Sequence, residues 1–496
     1  MTEMYLYQLP NLRDIYDEFI VSDNLTENEN HDIVESFCNV IDYYITNNPL
    51  SFSDPKFHEN LSEYVEIFIN LQFPFSFNNR HQNSLTEDLH HELKTLQQEA
   101  ESIYFKHIIP KRSYPKTFIR NKNVNIPEMS KKIQFIKDIP QPDQRTDEWY
   151  HFRHNLLTAS SAWKCLASES SRNQIIYEKC QPLNVGKFRS SNITTPFHWG
   201  QKYEEVSVML YEKKYKTTVE DFGCIQHQKY KFLGASPDGI NTDQESQLYG
   251  RMLEIKNIVN REITGIPKQE YWIQMQLQME TCELNECDFL ETRFKEYESE
   301  EEFNADGSMS RTKDGKQKGI MMHFNKDGFA HYEYCPIFRK RDDDATCRKI
   351  FEKWEQEMME KNRDLMWVAN VYWYLDEVSC VLVLRNKLWF DEAVKKLGET
   401  WETIEIERVT GYEHRAPRKR MKSDPNKLKN TLSDEKTEAD KQKRKNSADK
   451  IKMSPQLTAI KNDQKINATG GIPIIKVLTE NLGDAKEITE DPDFVL

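Results

Sequence analysis

Two acidic residues and a lysine near the middle of the chain have types and a spacing that could do chemistry together. Glu254 and Lys256 are two residues apart in the apolar run 252–256, MLEIK. If this run is a β-strand, both side chains emerge on one face, because side chains alternate along a strand. Asp238 precedes Glu254 by 16 residues, and a hairpin through residues 241–250 would bring it alongside. Two adjacent carboxylates form an oxygen site suited to Mg²⁺ or Mn²⁺.

Such a site has the parts needed to hydrolyse a phosphodiester bond. A divalent metal activates water and stabilises the extra negative charge on the phosphate, and a nearby lysine adds charge or handles the proton of the water. The alternative for Glu254 and Lys256 is a solvated surface ion pair, which is the commoner role of a Glu-x-Lys tripeptide. Their apolar neighbours and the upstream turn P-D-G at 237–239 favour the catalytic interpretation.

Five sequence blocks, in this order, resemble the PD-(D/E)xK nucleases, and more narrowly the YqaJ or phage lambda exonuclease family of phages and large DNA viruses. The blocks are W-x-x-x-R at 149–153 with T-A-S at 158–160, W-G-x-x-x-E at 199–204, S-P-D-G at 236–239, L-E-I-K at 253–256 and Q-x-Q at 274–276. The resemblance implies an α/β (α+β) fold of the restriction-endonuclease-like type, with a mixed central sheet flanked by helices.

The resemblance also implies which residues would hold two Mg²⁺ or Mn²⁺ ions. Asp238 and Glu254 would bind metal directly, together with the backbone carbonyl of Ile255. Glu204 would contact metal directly or through water, although Glu205 is an equal neighbour on the same predicted helix.

The remaining catalytic residues follow from the same resemblance. Lys256 would be the catalytic lysine, beside the carboxylates of Asp238 and Glu254. Gln274 would orient the attacking water or the lysine, with Gln276 as the competing choice.

A second implied group would hold a terminal 5′-phosphate. Arg153, Ser160 and Ser236 occupy the corresponding positions, and an arginine fork with hydroxyls is a good phosphate ligand set. Arg145 competes with Arg153 for this role, and Ser160 could instead cap a helix.

The implied function is a 5′-to-3′ exonuclease that degrades one strand of duplex DNA from an end in recombination or repair. An endonuclease or flap nuclease on the same core, or an inactive nuclease fold that binds DNA, are the alternatives. The expected partner is duplex DNA with a free end; a single-strand annealing protein and further copies of the chain are candidate partners. Scattered cysteines and the lack of a signal peptide or apolar span predict an intracellular protein, in the cytoplasm, at a viral replication site or in the nucleus.

The elements that must position these residues form an α/β pattern over residues 144–411, the predicted exonuclease domain. Predicted helices are Asp147–Leu166, His198–Tyr215, Pro267–Cys282 and Ile350–Trp367, and predicted strands are Val219–Gln226, Lys231–Ala235, Arg251–Lys256, Phe289–Phe294 and Val371–Leu384. A charged, glycine-containing stretch at 298–317 is predicted to be a loop.

Two flanking regions complete the predicted organisation. Residues 1–140 have apolar residues at helical spacing and are predicted to be a mostly helical unit of unknown role. Residues 412–496 are predicted to be a disordered Lys-rich linker with an acidic tail. The whole chain has a net charge of −13, yet residues 415–452 carry 14 Lys and Arg against 6 Asp and Glu. That segment is either a phosphate-contacting arm or a solvated spacer.

Overall fold

The fold was analysed in a computed structural model, which describes residues 27–72, 84–114, 118–119, 124–144, 146–188, 193–417 and 486–487. The helices are α1 (Glu27–Asn47), α2 (Phe57–Gln72), α3 (Ser84–His107), α4 (Ile126–Asp138), α5 (Asp147–His154), α6 (Ala159–Leu166), α7 (Glu169–Cys180), α8 (Pro196–Tyr215), α9 (Gln269–Cys282), α10 (Glu300–Ala305), α11 (Asp344–Lys361) and α12 (Lys387–Thr410). The strands are β1 (Phe118–Ile119), β2 (Leu157–Thr158), β3 (Val219–Glu220), β4 (Ile225–Gln226), β5 (Leu233–Ala235), β6 (Gly239–Asn241), β7 (Met252–Asn257), β8 (Glu286–Glu296), β9 (Lys318–Lys326), β10 (Phe329–Tyr334), β11 (Met366–Leu384) and β12 (Lys486–Glu487).

A mixed sheet of seven strands forms the centre, in the order β10-β9-β11-β8-β7-β6-β3. Strand β7 runs parallel to β8 and antiparallel to β6. The parallel pair is joined through α9, because parallel strands need a crossover connection. A smaller sheet, β2-β5-β4, lies beside α6 and α9. This mixed sheet with flanking helices confirms the predicted α/β architecture.

Several predicted elements differ from the structure. The helix predicted at Asp147–Leu166 is divided into α5 and α6 by β2, which pairs in parallel with β5. The strand predicted at Val219–Gln226 is two short strands in different sheets. The helix predicted at Ile350–Trp367 ends at Lys361, and Met366 already begins β11. In each case strand pairing over long sequence distances overrides the local pattern.

The largest hydrophobic core surrounds α9, whose residues from Trp272 to Cys282 are all buried. This core also contains side chains of α1, α2 and α3, including Phe37, Phe57 and Leu93. The described part of the N-terminal region is helical, as predicted, and packs against α9. The domain boundary near residue 140 stays a prediction, and the linker and tail predicted at 412–496 lie almost wholly outside the described residues. No helix in the described ranges is both long and apolar enough to cross a membrane.

Candidate active site

The pairing of β6 with β7 brings Asp238 next to the strand that carries Glu254. Gly239 lies opposite Leu253 in this antiparallel pair, so the turn before β6 ends beside the middle of β7. The backbone N–H of Ile255 donates a hydrogen bond of 2.7 Å to Oδ2 of Asp238. The two acidic residues therefore approach each other from neighbouring strands.

The alternation of side chains along β7 separates its polar face from its apolar face. Leu253 and Ile255 are buried in a hydrophobic cluster on one side of the strand. Glu254 and Lys256 emerge on the other side and form an ion pair, with the lysine amine donating to Oε1 of the glutamate. The carboxylate of Glu254 is fully buried, so it is held in a defined position.

Two carboxylates this close destabilise each other's charge. Burial, and then the charge of Glu254, raise the pKa of Asp238 well above its ordinary value, with Lys256 opposing them. Burial alone would disfavour the Lys256 ammonium, but attraction to Glu254 and Asp238 raises the pKa of Lys256 above its ordinary value. A partly buried carboxylate pair with one ammonium fits a divalent cation, because its oxygen donors are hard and its charge repulsion is relieved by binding.

Glu204 lies on α8 and faces the same cavity as Asp238. Its charge contributes to the raised pKa of Asp238. Helix α8 is fixed to β7 by Asn257, whose amide donates to the carbonyl of Gly200 at 2.7 Å. Within the described residues, no three or more His, Cys, Asp or Glu side chains are grouped so that they could hold a metal ion by themselves. Metal binding by Glu204, and by the carbonyl of Ile255, stays a prediction.

Three glutamines in the middle of α9, at positions 274, 276 and 278, have different environments. Gln274 lines the cavity that contains Asp238. Gln276 does not line this cavity. Its side-chain amide donates a hydrogen bond of 2.9 Å to the carbonyl of Leu384, the last residue of β11. Gln278 donates to Oε2 of Glu254 at 2.7 Å and to the carbonyl of Ser236 at 3.1 Å.

Gln278 was missed by the sequence analysis. The signal that could have found it is the spacing of four from Gln274, which places both on one face of a helix. Its amide joins the segment that carries Asp238 to the side chain of Glu254, so it positions both metal-binding candidates.

Arg153 and the two predicted serines are also brought together. The guanidinium of Arg153 donates to Oγ of Ser236 at 3.1 Å and to Oγ of Ser160 at 3.3 Å. It lies 4.2 Å from the centre of the Trp149 ring, which holds it by a cation–π contact. Burial lowers the pKa of Arg153, with no carboxylate among the opposing influences. Arg145, the competing arginine, lies outside the described residues.

One cavity of about 700 Å³ joins the two groups. Its lining includes Arg153, Ser160 and Ser236, the predicted phosphate-binding residues. It also includes Asp238, Glu204 and Gln274, which belong to the predicted catalytic and metal-binding set. Ser236 is two residues before Asp238, so the turn before β6 contributes to both parts. An anion held by the arginine would thus share a cavity with the carboxylates.

Comparison with known proteins matches residues 148–285 to the model of the YqaJ-like viral recombinase domain. This match confirms the resemblance predicted from the five sequence blocks. An uncharacterized protein of Acanthamoeba polyphaga mimivirus is 30% identical over 61% of this chain and 58% of its own length. The chain therefore spans little more than half of that relative. The alkaline exonuclease LHK-Exo of Laribacter hongkongensis, solved by crystallography and also in complex with dAMP, is 18% identical over 54% of this chain and 97% of that chain, with a TM-score of 0.31.

Proposed function

We propose that this chain, whose residues 148–285 form a YqaJ-like viral recombinase domain, is a metal-dependent deoxyribonuclease that degrades one strand of duplex DNA from a 5′ end. The observation that carries the proposal is the shared cavity. Its lining combines an arginine and two hydroxyls, which suit a terminal phosphate, with Asp238 and Glu204. The ion pair of Glu254 and Lys256 lies on β7, the strand whose backbone binds Asp238, and completes a set that suits hydrolysis of a phosphodiester.

The carboxylates of Asp238 and Glu254 would hold the metal, with Glu204 and the carbonyl of Ile255 as further ligands. Bound Mg²⁺ or Mn²⁺ would supply an activated water and stabilise the charge that develops on the phosphate. Lys256 keeps its ammonium beside Glu254 and adds a second positive charge near the reacting phosphate. Gln274 faces the cavity and is placed to orient the attacking water.

The proposal that degradation starts at a 5′ end rests on Arg153. Its hydrogen bonds run to hydroxyls and its charge is buried, so it is suited to bind an anion within the cavity. A 5′-terminal phosphate held there fixes the end of the strand, and the next phosphodiester lies on the side of Asp238. A closed circle has no terminal phosphate, so it cannot occupy this part of the cavity.

The test uses the purified full-length chain with Mg²⁺ and duplex DNA labelled at either the 5′ or the 3′ end. We expect linear duplex to be degraded with early release of the 5′ label, while closed circular duplex stays intact. Substituting Asp238→Asn or Lys256→Met should lower the rate by about 10²–10⁴-fold, the range of a positioned catalytic group. Chelation with EDTA should stop cleavage.

Two outcomes would replace this proposal with another. Circular DNA cut as fast as linear DNA would indicate an endonuclease on the same core. Binding of DNA without any metal-dependent cleavage, in a protein that is folded, would indicate a nuclease fold that has lost activity.

A further inference from the structure

A second cation lies beside Arg153 and takes no part in the function proposed above. Lys179, near the end of α7, is only 9% exposed and lines the same cavity. Its amine donates a hydrogen bond of 2.7 Å to the carbonyl of Arg153. A lysine is rarely buried this far without a charged partner, because removing its charge from water is costly.

The surroundings of Lys179 add positive charge. Arg408 of α12 donates to the carbonyl of Lys179 at 2.9 Å and to the carbonyl of His154 at 3.1 Å. The neighbouring carboxylate, Glu178, is occupied by Lys164 at 3.0 Å. Arg153 and Lys179 thus line the cavity, and Arg408 lies behind them against the main chain of α5 and α7.

The hydrogen bonds of the two cavity-lining cations go to neutral groups. Among the described residues, Arg153 donates to two serine hydroxyls, and the amine of Lys179 donates to one main-chain carbonyl. Neither is bound to a carboxylate in this part of the chain. An anion of charge −2 would therefore supply the ion pairs that these two cations do not form with other described residues.

We propose that Lys179 is a second phosphate-binding cation, and that with Arg153 it selects a terminal phosphomonoester over a hydroxyl end or an internal phosphodiester. A phosphomonoester carries about −1.5 to −2 charges at pH 7, whereas a phosphodiester carries one. Two cations in one low-dielectric cavity favour the more highly charged group. The proposal rests on the proposed function, since it concerns the end that the nuclease would bind.

The same environment makes the recognition dependent on pH. Burial, then the charges of Arg153 and Arg408, lower the pKa of the Lys179 amine to about 7. The charged or titratable groups that face it are Arg153 and His154 of α5, Glu178 of α7, Arg408 of α12 and Cys224 ahead of β4. A lysine is cationic below its pKa, so the ammonium is present below pH 7 and is lost above it. The phosphate dianion forms above about pH 6, so preference for a phosphorylated end should fall from pH 7 to pH 9.

The test measures binding of the full-length chain to duplex oligonucleotides with a 5′-phosphate or a 5′-hydroxyl, in Ca²⁺ to suppress cleavage. The Lys179→Met variant keeps the length of the side chain and removes its charge. We expect the ratio of the two dissociation constants to fall by about tenfold or more, as for loss of a charge-assisted hydrogen bond, with 5′-hydroxyl binding unchanged. Lys164→Met, the same change on the partner of Glu178, should leave the ratio unchanged.

A Lys179→Arg variant keeps a charge at all accessible pH values. This variant should keep the preference for a 5′-phosphate end and should not show the decline of that preference between pH 7 and pH 9. It therefore tests the proposal even if Lys179→Met does not fold. If Lys179→Met weakens binding to both kinds of end equally, or leaves the ratio of the two dissociation constants unchanged, Lys179 only stabilises the position of α5. A wild-type protein that cleaves DNA but shows no phosphate preference would overturn this inference and leave the nuclease proposal standing. A wild-type protein that prefers 5′-phosphorylated ends but does not cleave DNA would support this inference and overturn the nuclease proposal.

Discussion

Gln278 fixes the orientation of Glu254, because its side-chain amide donates a hydrogen bond to the carboxylate. Its nitrogen contacts both Oε2 of Glu254 and the carbonyl of Ser236, while its own oxygen has no hydrogen-bond partner within the described residues. A group that holds a metal ligand in place affects metal binding as well as the rate.

We expect Gln278→Met to weaken Mn²⁺ or Mg²⁺ binding by about 10–100-fold, since it removes the donor and nearly keeps the volume. Isothermal titration of metal into the protein without DNA measures this directly. The matched control is Gln276→Met, which makes the same change on the same helix but breaks contacts to Leu384 and Asn386. It should lower the melting temperature and leave metal affinity unchanged. Equal metal affinity in both variants would show that Gln278 is only structural.

The sequence predicts the residues of β7 well and those of α9 poorly, for a physical reason. In a strand, a spacing of two is enough to place Glu254 and Lys256 on one face, and apolar neighbours settle which face is buried. The glutamines at 274, 276 and 278 are all buried, so composition does not separate them. Only the packing of α9 against β5 and the chain after β11 decides which of them faces Glu254.

At the scale of elements, Asn257 is one of the side chains that hold α8 against the central sheet. Asn257 donates to the carbonyl of Gly200, and its oxygen accepts hydrogen bonds from Ser207 at 2.7 Å and Thr292 at 2.6 Å. The amide therefore joins α8, β7 and β8 one residue beyond Lys256. Because Glu204 lies one turn after Gly200, this junction sets how far Glu204 reaches toward Asp238.

Substituting Asn257 tests how much this hydrogen-bonded junction stabilises the packing of α8 on the sheet. Asn257→Leu leaves the three partner groups without their bonds, so we expect the free energy of unfolding to fall by about 1–3 kcal/mol. Chemical denaturation monitored by tryptophan fluorescence measures the loss. Asn257→Asp, which keeps two acceptors and loses the donor, should be intermediate in stability at neutral pH. A variant as stable as the wild type would mean that the other contacts of α8 with the sheet, such as those of Tyr203 with Glu296 and Tyr211 with Asp288, hold the helix without this junction.

Element prediction missed one local hairpin and underestimated a strand that pairs with distant strands. The hairpin β9–β10 was not predicted, although Asp327 and Gly328 both have positive φ angles, as a tight hairpin turn requires. The Asp-Gly signal was present, but no strand was predicted for residues 318–334. The loop predicted at 298–317 was wrong in part, because Glu300–Ala305 form α10, which begins after Ser299 as its N-cap. Strand β11 is longer than predicted because it pairs with both β8 and β9 along its length.

At the scale of the molecule, a buried arginine adds a hydrogen-bonded link to the shared hydrophobic core between the N-terminal helices and α9. Arg112 is 2% exposed and donates to the carbonyls of Phe52 at 3.1 Å and Pro267 at 2.6 Å. Its own carbonyl accepts a hydrogen bond of 2.8 Å from the indole of Trp272. Pro267 and Trp272 flank the start of α9, the helix that carries Gln274 and Gln278. The sequence could not predict this contact, because the two partners are more than 150 residues apart.

The N-terminal region is therefore expected to support the site through α9, and Arg112→Leu tests this. The substitution removes the donors to buried carbonyls, so the free energy of unfolding should fall by about 2–5 kcal/mol. Nuclease activity should then be lost at a lower temperature, in step with unfolding. The control is Lys111→Leu, an equal loss of charge at the exposed neighbouring position, which should change neither quantity. If Arg112→Leu unfolds the N-terminal helices while cleavage keeps its wild-type temperature dependence, the two regions are energetically independent, and the N-terminal helices serve some purpose other than holding α9.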